Sequence, residues 1–144
     1  MKKNYLAIDT TTEACSVALS CDGNSQSRYT EEPRKHANLV LPMVDELLAE
    51  AGITLSQLNG IAFCQGPGAF TGLRIGAGVV QGLAFSVDVP VLGVSTLAAM
   101  AQRAHREYSS SHVYAAIDAR MGRFTGGLIV CQKISCYYRE RKVS

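Results

Sequence analysis

Asp9 is the first side chain in the sequence with an evident capacity for chemistry. It follows the apolar run at residues 5–8 and precedes three consecutive threonines. A carboxylate at the end of a strand could contact a nucleotide or a magnesium ion. It could equally accept bonds from backbone N–H groups in an Asx-type turn, a conformation that Asp favours. Both interpretations of Asp9 stay open at this stage.

The tripeptide Gly66-Pro67-Gly68 is the second candidate, and it lies between two apolar segments. Its glycines could cradle a phosphate, or the tripeptide could form a rigid turn that aims the following helix. The segment lacks the Gly-Lys-Ser/Thr ending of a P-loop. We therefore favour the turn over a phosphate loop.

Nucleophilic and metal-binding patterns are weak in this sequence. Ser16 and Ser95 lie outside any Gly-x-Ser-x-Gly context, and Asp118 with Arg120 suggests a local ion pair. The five cysteines are odd in number and lack CxxC spacing, which argues against a zinc site and a disulfide framework. We predict no catalytic residue and no bound metal.

Four glycines, Gly72, Gly76, Gly78 and Gly82, interrupt a long apolar segment that we predict to be a helix. An interior glycine costs a helix about 1 kcal/mol relative to alanine. The spacing places two pairs one turn apart, and each pair forms a flat face on which another helix can lie. We favour a subunit interface over internal packing alone. Arg74, in the same segment, could pair with a partner carboxylate, contact a nucleic-acid phosphate or remain solvated.

Composition indicates a globular chain that forms one main domain. The sequence has 144 residues, of which 47% are hydrophobic and 18% charged, and its net charge of +2 is too small to indicate a nucleic-acid surface by itself. Residues 1–122 contain nine Lys and Arg against eleven Asp and Glu, whereas residues 123–144 contain five against one. We expect a cytoplasmic protein without a membrane segment, because the uncharged run before Asp88 is too short to span a bilayer.

The predicted elements must hold these residues in place. Apolar periodicity and turn residues predict strands at 5–8, 14–19, 25–30, 61–64, 91–94 and 113–117, and helices at 36–51, 70–87 and 96–107. Three strands in succession indicate an antiparallel meander, and the later strand–helix alternation indicates parallel strands with crossover helices. The predicted fold class is α/β, with helices packed on a mixed sheet.

Five blocks of the sequence together resemble the TsaB (YeaZ) family of bacteria. The blocks, in family order, are 6–19 (LAIDTTTEACSVAL), 41–44 (LPMV), 66–76 (GPGAFTGLRIG), 93–97 (GVSTL) and 116–122 (AIDARMG). The resemblance implies the N-terminal domain of the RNase-H-like, actin-like ATPase (ASKHA) fold. It also implies a role in making threonylcarbamoyladenosine, the modified adenosine beside the tRNA anticodon.

In that family TsaB is a non-catalytic relative of TsaD, the enzyme that transfers the threonylcarbamoyl group made by TsaC. The resemblance implies that this chain binds and activates TsaD, with the ATPase TsaE joining them, and that it reaches tRNA only through the complex. It implies a homodimer in the absence of TsaD. No cofactor is expected to be required, although ATP or ADP could bind at the complex interface.

The resemblance also assigns residues. The first hairpin of ASKHA proteins cradles phosphate, which makes Asp9, Thr10 and Thr11 candidates for a vestigial nucleotide site. TsaD-like enzymes have two metal-binding histidines one turn apart, and none of the three histidines here has that spacing. The partner interface is expected on the two middle helices, formed by Leu39, Met43, Leu47, Gly72, Arg74, Ile75, Gly76 and Val79.

The sequence departs from the family after Gly122. Family members continue beyond 200 residues with a second domain and read close to Glu-Val-Tyr-Trp at this point, whereas this chain reads Arg-Phe-Thr-Gly and ends at Ser144. The peptide Glu-Val-Tyr-Trp-Gly can be encoded by GAG GTT TAC TGG GGG. When reading begins one base later, the same bases encode Arg-Phe-Thr-Gly, the sequence found at residues 123–126. We hypothesise that residues 123–144 are a frameshifted tail without the second domain. We expect one extra strand beside residues 113–117, formed by residues 128–130. After Cys131 we expect disorder, or residues held by contacts outside the chain.

Two other functions remain as alternatives. A small-molecule kinase or ATPase of the same fold would need nucleotide turnover, and the loop ending at Gly122 has one glycine where such enzymes need several. A glycoprotease-like metallopeptidase would need a metal.

Overall fold

The computed structural model describes residues 3–118, 124–132 and 135–139. The chain divides into two compact units, the first formed by Met1–Gln65 with Ala69–Gly93 and the second by Gly66–Gly68 with Val94–Ser144. This division falls after Gly93 and does not coincide with the predicted domain boundary after residue 122.

The first unit contains a five-stranded mixed sheet. Its strands are β1 (Asn4–Asp9), β2 (Cys15–Cys21), β3 (Asn24–Thr30), β4 (Gly60–Gly66) and β5 (Val91–Ser95), in the order β3-β2-β1-β4-β5. The strands β1, β2 and β3 form the predicted antiparallel meander, and β4 runs parallel to β1. The meander follows from strand alternation, because every second residue of β1 and β2 is buried.

Two helices complete the first unit, α1 (His36–Ala51) and α2 (Phe70–Val87), each with the predicted bounds. Gly52 ends α1 with a φ of 65°, and its N–H donates to the carbonyl oxygens of Leu48 and Ala49, as expected of a C-terminal glycine cap. Both helices join one core with the sheet. Its fully buried members include Leu6, Val17, Leu19, Val40, Val44, Leu47 and Val80.

The second unit contains α3 (Thr96–Tyr108) and the antiparallel strands β6 (His112–Asp118), β7 (Phe124–Gln132) and β8 (Ser135–Arg139). The Ser95 hydroxyl caps α3 by accepting a hydrogen bond from the Ala98 N–H at 3.4 Å. The expectation of a single mixed sheet is wrong at β6, which pairs with β7 in a separate sheet ordered β6-β7-β8. A small core of Leu97, Ala101, Ala115, Ile129 and Cys131 lies between α3 and this sheet.

Two strands, β7 and β8, follow β6 in the described part of the chain. The predicted pairing of residues 128–130 with the preceding strand is confirmed, because Leu128 lies opposite Tyr114 and Ile129 opposite Val113. Ser135–Arg139, for which we expected disorder or contacts outside the chain, have a β-prone sequence and pair with β7 as β8. Cys131 is disulfide-bonded, a bond that the sequence did not predict, whereas Cys15 and Cys64 are free thiols.

Candidate functional site

The loop between β1 and β2 begins with a turn closed by Asp9. The Oδ1 atom of Asp9 accepts hydrogen bonds from the Thr11 N–H at 2.9 Å and from the Thr11 hydroxyl at 2.6 Å. This is the geometry that the Asx-type interpretation of Asp9 predicted. The carboxylate therefore already stabilises its own loop through one of its oxygens.

Thr10 and Thr11 turn inward from this loop, and their exposed fractions are 2% and 1%. The Thr10 hydroxyl donates to the Gly72 carbonyl oxygen at 2.7 Å, and the Thr11 carbonyl oxygen accepts from the Ala69 N–H at 2.7 Å. The three residues predicted to contact a nucleotide thus lie in one loop. Both hydroxyl protons, however, are donated to groups of the protein itself.

His36, at the first residue of α1, reaches the same loop. Its Nε2 lies 2.7 Å from the Thr12 carbonyl oxygen and 3.1 Å from the Ala14 carbonyl oxygen, and the residue is buried. Because both partners are acceptors, their chemistry assigns the proton to Nε2. The sequence predicts only that a helix begins at residue 36, because nothing in the local pattern around His36 shows contacts to residues more than twenty positions away.

Two cysteines near Asp9 have raised pKa values. Burial, followed by the neighbouring Asp9 carboxylate, raises the pKa of the Cys64 thiol to about 12. The same two causes, in the same order, raise the pKa of Cys15. Both thiols are therefore protonated at neutral pH and lack the thiolate character of a nucleophile.

The two glycine pairs of α2 lie in different surroundings. A Cβ added at Gly72 would overlap the backbone carbonyl of Thr10, and one added at Gly76 would come within 2.5 Å of the Thr10 Oγ1. A Cβ at Gly78 or Gly82 would meet nothing within 4 Å. The prediction that Gly72 and Gly76 present an open face to a partner is wrong, because that face is already covered by the β1–β2 loop.

The other predicted interface residues also divide by burial. Leu47 is fully buried in the core, so its assignment to an exposed interface is wrong. Leu39, Met43 and Val79 are half-buried and pack against that core, and Ile75 is also half-buried. Arg74 is exposed, with its guanidinium carbon 4.1 Å from the centre of the Phe70 ring, a cation–π arrangement.

The side of α2 directed away from the sheet carries the apolar residues that sequence reasoning missed. Phe85 is 91% exposed and Phe70 is 68% exposed. Residues three or four positions apart lie on the same side of a helix, so Phe70 and Phe85 belong to one stripe. We call this stripe the outer face of α2, and its members are Phe70, Arg74, Gly78, Gly82 and Phe85. Only four of the 18 residues of α2 are buried, and they occupy the opposite stripe. A helical projection of the sequence would have revealed this arrangement.

We searched the described residues for groups of metal ligands and for helices that could span a membrane. Within residues 3–118, 124–132 and 135–139, no three His, Cys, Asp or Glu side chains are grouped as metal ligands would be. Among these residues, α2 is long and apolar enough to span a bilayer, a property it shares with helices of soluble proteins that pack on a sheet. Residues 119–122, in the loop ending at Gly122 where a kinase would need several glycines, lie outside the described residues.

Comparison with known proteins gives a consistent result. The family model described as "TsaD: tRNA N6-adenosine threonylcarbamoyltransferase" matches residues 27–132. The chain is 52% identical over 117 residues to the tRNA threonylcarbamoyladenosine biosynthesis protein TsaB of Escherichia coli (strain K12), covering 81% of this chain and 51% of that protein. It is 47% identical over 135 residues to the TsaB of Haemophilus influenzae, covering 94% and 57% respectively.

The solved structure of YeaZ from Pseudomonas aeruginosa superposes with a TM-score of 0.92 at 52% identity, covering 96% of this chain and 65% of that one. The chain thus spans little more than half the length of the curated relatives it matches.

Proposed function

The chain belongs to the TsaB (YeaZ) family, and on that premise we propose that it is a non-catalytic subunit of tRNA threonylcarbamoyladenosine synthesis that binds and activates TsaD. The observation that supports this proposal is the outer face of α2. It places an almost fully exposed phenylalanine beside two glycines whose faces are open. Such a surface suits a partner helix, because glycine permits close backbone approach and buried aromatic residues supply much of an interface's binding energy.

The proposed interface differs from the one expected from sequence. Its centre is the outer face of α2, which retains Arg74 from the predicted set. Leu39, Met43, Ile75 and Val79 keep partial exposure and lie at its margin in this proposal. Gly72, Gly76 and Leu47 support the interface from inside the subunit. In the absence of TsaD, a second copy of the chain would occupy the same face.

The remaining parts of the proposal concern the complex. TsaE joins the TsaB–TsaD pair, TsaC supplies the activated threonylcarbamoyl group, and tRNA is contacted only through the assembled complex. The chain needs no cofactor of its own, and any ATP or ADP binds at the complex interface. The protein acts in the cytoplasm, where tRNA is modified, and does not enter a membrane.

Binding to TsaD tests the proposal directly. Purified chain should form a complex with Escherichia coli TsaD, and Phe85→Ala should weaken it by about 1.5–3 kcal/mol, the value of burying one large apolar side chain. Leu92→Ala is the matched control, since Leu92 is 65% exposed on β5 and lies outside the proposed face. Neither change should lower the thermal stability of the isolated chain by much. Failure of the unmodified chain to bind TsaD contradicts the proposal.

Complementation tests the activity of the chain in a cell. A bacterium depleted of its own TsaB should regain threonylcarbamoyladenosine in its tRNA when it expresses these 144 residues, and the Phe85→Ala chain should restore less. Nucleotide hydrolysis by the isolated chain, or a stoichiometric metal in the purified protein, would instead favour the kinase or metallopeptidase alternative.

A further inference from the structure

We propose that the β1–β2 loop, residues 10–14, is a hub that fixes the N-terminal ends of both α1 and α2, so that Thr10 and His36 are positioning residues for the docking surface. The inference rests on the proposed function where it concerns docking. The hub itself consists of hydrogen bonds and close approaches within the first unit.

The loop holds the start of α2 by three contacts. The Ala69 N–H, just before the helix, donates to the Thr11 carbonyl oxygen at 2.7 Å. The Thr10 hydroxyl donates to the Gly72 carbonyl oxygen at 2.7 Å. The absence of side chains at Gly72 and Gly76 lets α2 approach Thr10 more closely than any Cβ would allow. The glycines therefore fit one particular threonine, and the fit fixes the rotation of α2 about its axis.

The same loop holds the start of α1 through a single side chain. The buried Nε2–H of His36 lies within hydrogen-bond distance of the carbonyl oxygens of Thr12 and Ala14. Satisfying two partly buried backbone acceptors from the first residue of a helix ties that helix end to the loop. Since Asp9 closes the loop at its other end, a segment of a few residues joins one strand end and two helix ends.

This arrangement has a consequence for nucleotide binding. A phosphate cradle at this hairpin would need the Thr10 and Thr11 hydroxyls and the Thr11 N–H as donors. All three donate within the protein, to Gly72 or to Asp9. In this chain the groups that correspond to a phosphate loop position the helices instead.

Amide hydrogen exchange on the isolated 144-residue chain tests the hub without any partner. Thr10→Val removes the hydroxyl at nearly constant volume, and we expect exchange at residues 73–76 to become roughly tenfold faster. Thr10→Ser, which keeps the hydroxyl, should exchange like the unmodified chain. Thr12→Val is the matched control, because Thr12 is exposed and its hydroxyl only accepts from Ala14 within the loop.

His36 provides an independent variant should Thr10→Val fail to fold. His36→Leu should accelerate exchange in the first turns of α1, and His36→Gln, whose amide nitrogen can take the place of Nε2, should restore it. Unchanged exchange in both Thr10→Val and His36→Leu would overturn the hub. Protection of the loop amides by millimolar ADP with Mg²⁺ would overturn it too, because the same donors cannot serve both roles.

Affinity for TsaD, measured on the same variants, separates the two proposals. We expect Thr10→Val to bind TsaD about tenfold more weakly, although Thr10 lies outside the proposed contact face, and Thr10→Ser to bind normally. Accelerated exchange with unchanged affinity would overturn the positioning role. Failure of the unmodified chain to bind TsaD would count against the proposed function and leave the exchange results to decide the hub.

Discussion

Alanine substitutions at two glycines of α2 should change stability in opposite directions. At Gly78 a new Cβ meets nothing within 4 Å, so Gly78→Ala should gain the helix-propensity difference of about 1 kcal/mol. At Gly72 the new Cβ overlaps the Thr10 carbonyl oxygen and lies 3.1 Å from its carbonyl carbon. Both atoms belong to backbone that cannot rotate away, so α2 must move off the sheet.

The net effect at Gly72 follows from three contributions. Overpacking against backbone costs about 1–3 kcal/mol, and loss of the buried Thr10–Gly72 hydrogen bond costs about 1 kcal/mol more. Subtracting the same propensity gain of about 1 kcal/mol leaves a destabilisation of about 1–3 kcal/mol. Two chemically identical changes, six residues apart in one helix, should therefore differ by roughly 2–4 kcal/mol.

Urea and thermal unfolding followed by circular dichroism would measure the difference. A shift of about 4 °C in Tm per kcal/mol is expected for a chain of this size, upward for Gly78→Ala and downward for Gly72→Ala. Gly82→Ala is a second control and should behave like Gly78→Ala. Stabilisation by Gly72→Ala, or equal shifts at Gly72 and Gly78, would refute the assignment of the two helix faces.

Two further predictions concern the residues around the hub. Asp9→Ala should destabilise the fold by about 1–3 kcal/mol, because it leaves the buried hydroxyl and N–H of Thr11 without their acceptor. Asp9→Asn keeps the Oδ1 acceptor and should cost less. Equal losses of unfolding free energy for the two variants in urea would contradict this expectation. Cys64 should make stability fall at alkaline pH. Its folded pKa of about 12 lies above the value of 9.0 expected when unfolded, so its contribution is fully present below pH 9 and is lost between pH 9 and about 12. By pH 10 the free energy of unfolding should have fallen by about 1.4 kcal/mol relative to that of Cys64→Ala. If the free energies of unfolding of the two proteins fell in parallel with pH, the thiol would not be the cause.

Local elements were well predicted from the sequence because their signals are local. The bounds of α1 and α2 and the glycine cap at Gly52 follow from periodicity and turn chemistry within a few residues. The meander follows from strand alternation and the turn at Asp22-Gly23. The resemblance to the TsaB family likewise rests on contiguous blocks, and the comparisons agree with it.

The separate sheet formed by β6, β7 and β8 was not predicted, and neither was the role of His36. Strand pairing depends on which edges meet in space, and the pattern of β6 is the same whether it joins a mixed sheet or pairs with β7. The histidine contacts involve residues 22 and 24 positions away in sequence. No periodicity encodes such a contact, because it exists only after the chain has folded.

The sequence alone determined that α2 would contain two glycine pairs one turn apart and that each pair would form a flat face. Only the tertiary structure decided that Gly72 and Gly76 face the β1–β2 loop and that Gly78 and Gly82 face outward. Glycine spacing defines faces relative to the helix axis, whereas the rotation of the helix on its sheet depends on packing. Here Gly72 and Gly76 pack against Thr10, which lies 62 positions from Gly72 in the sequence.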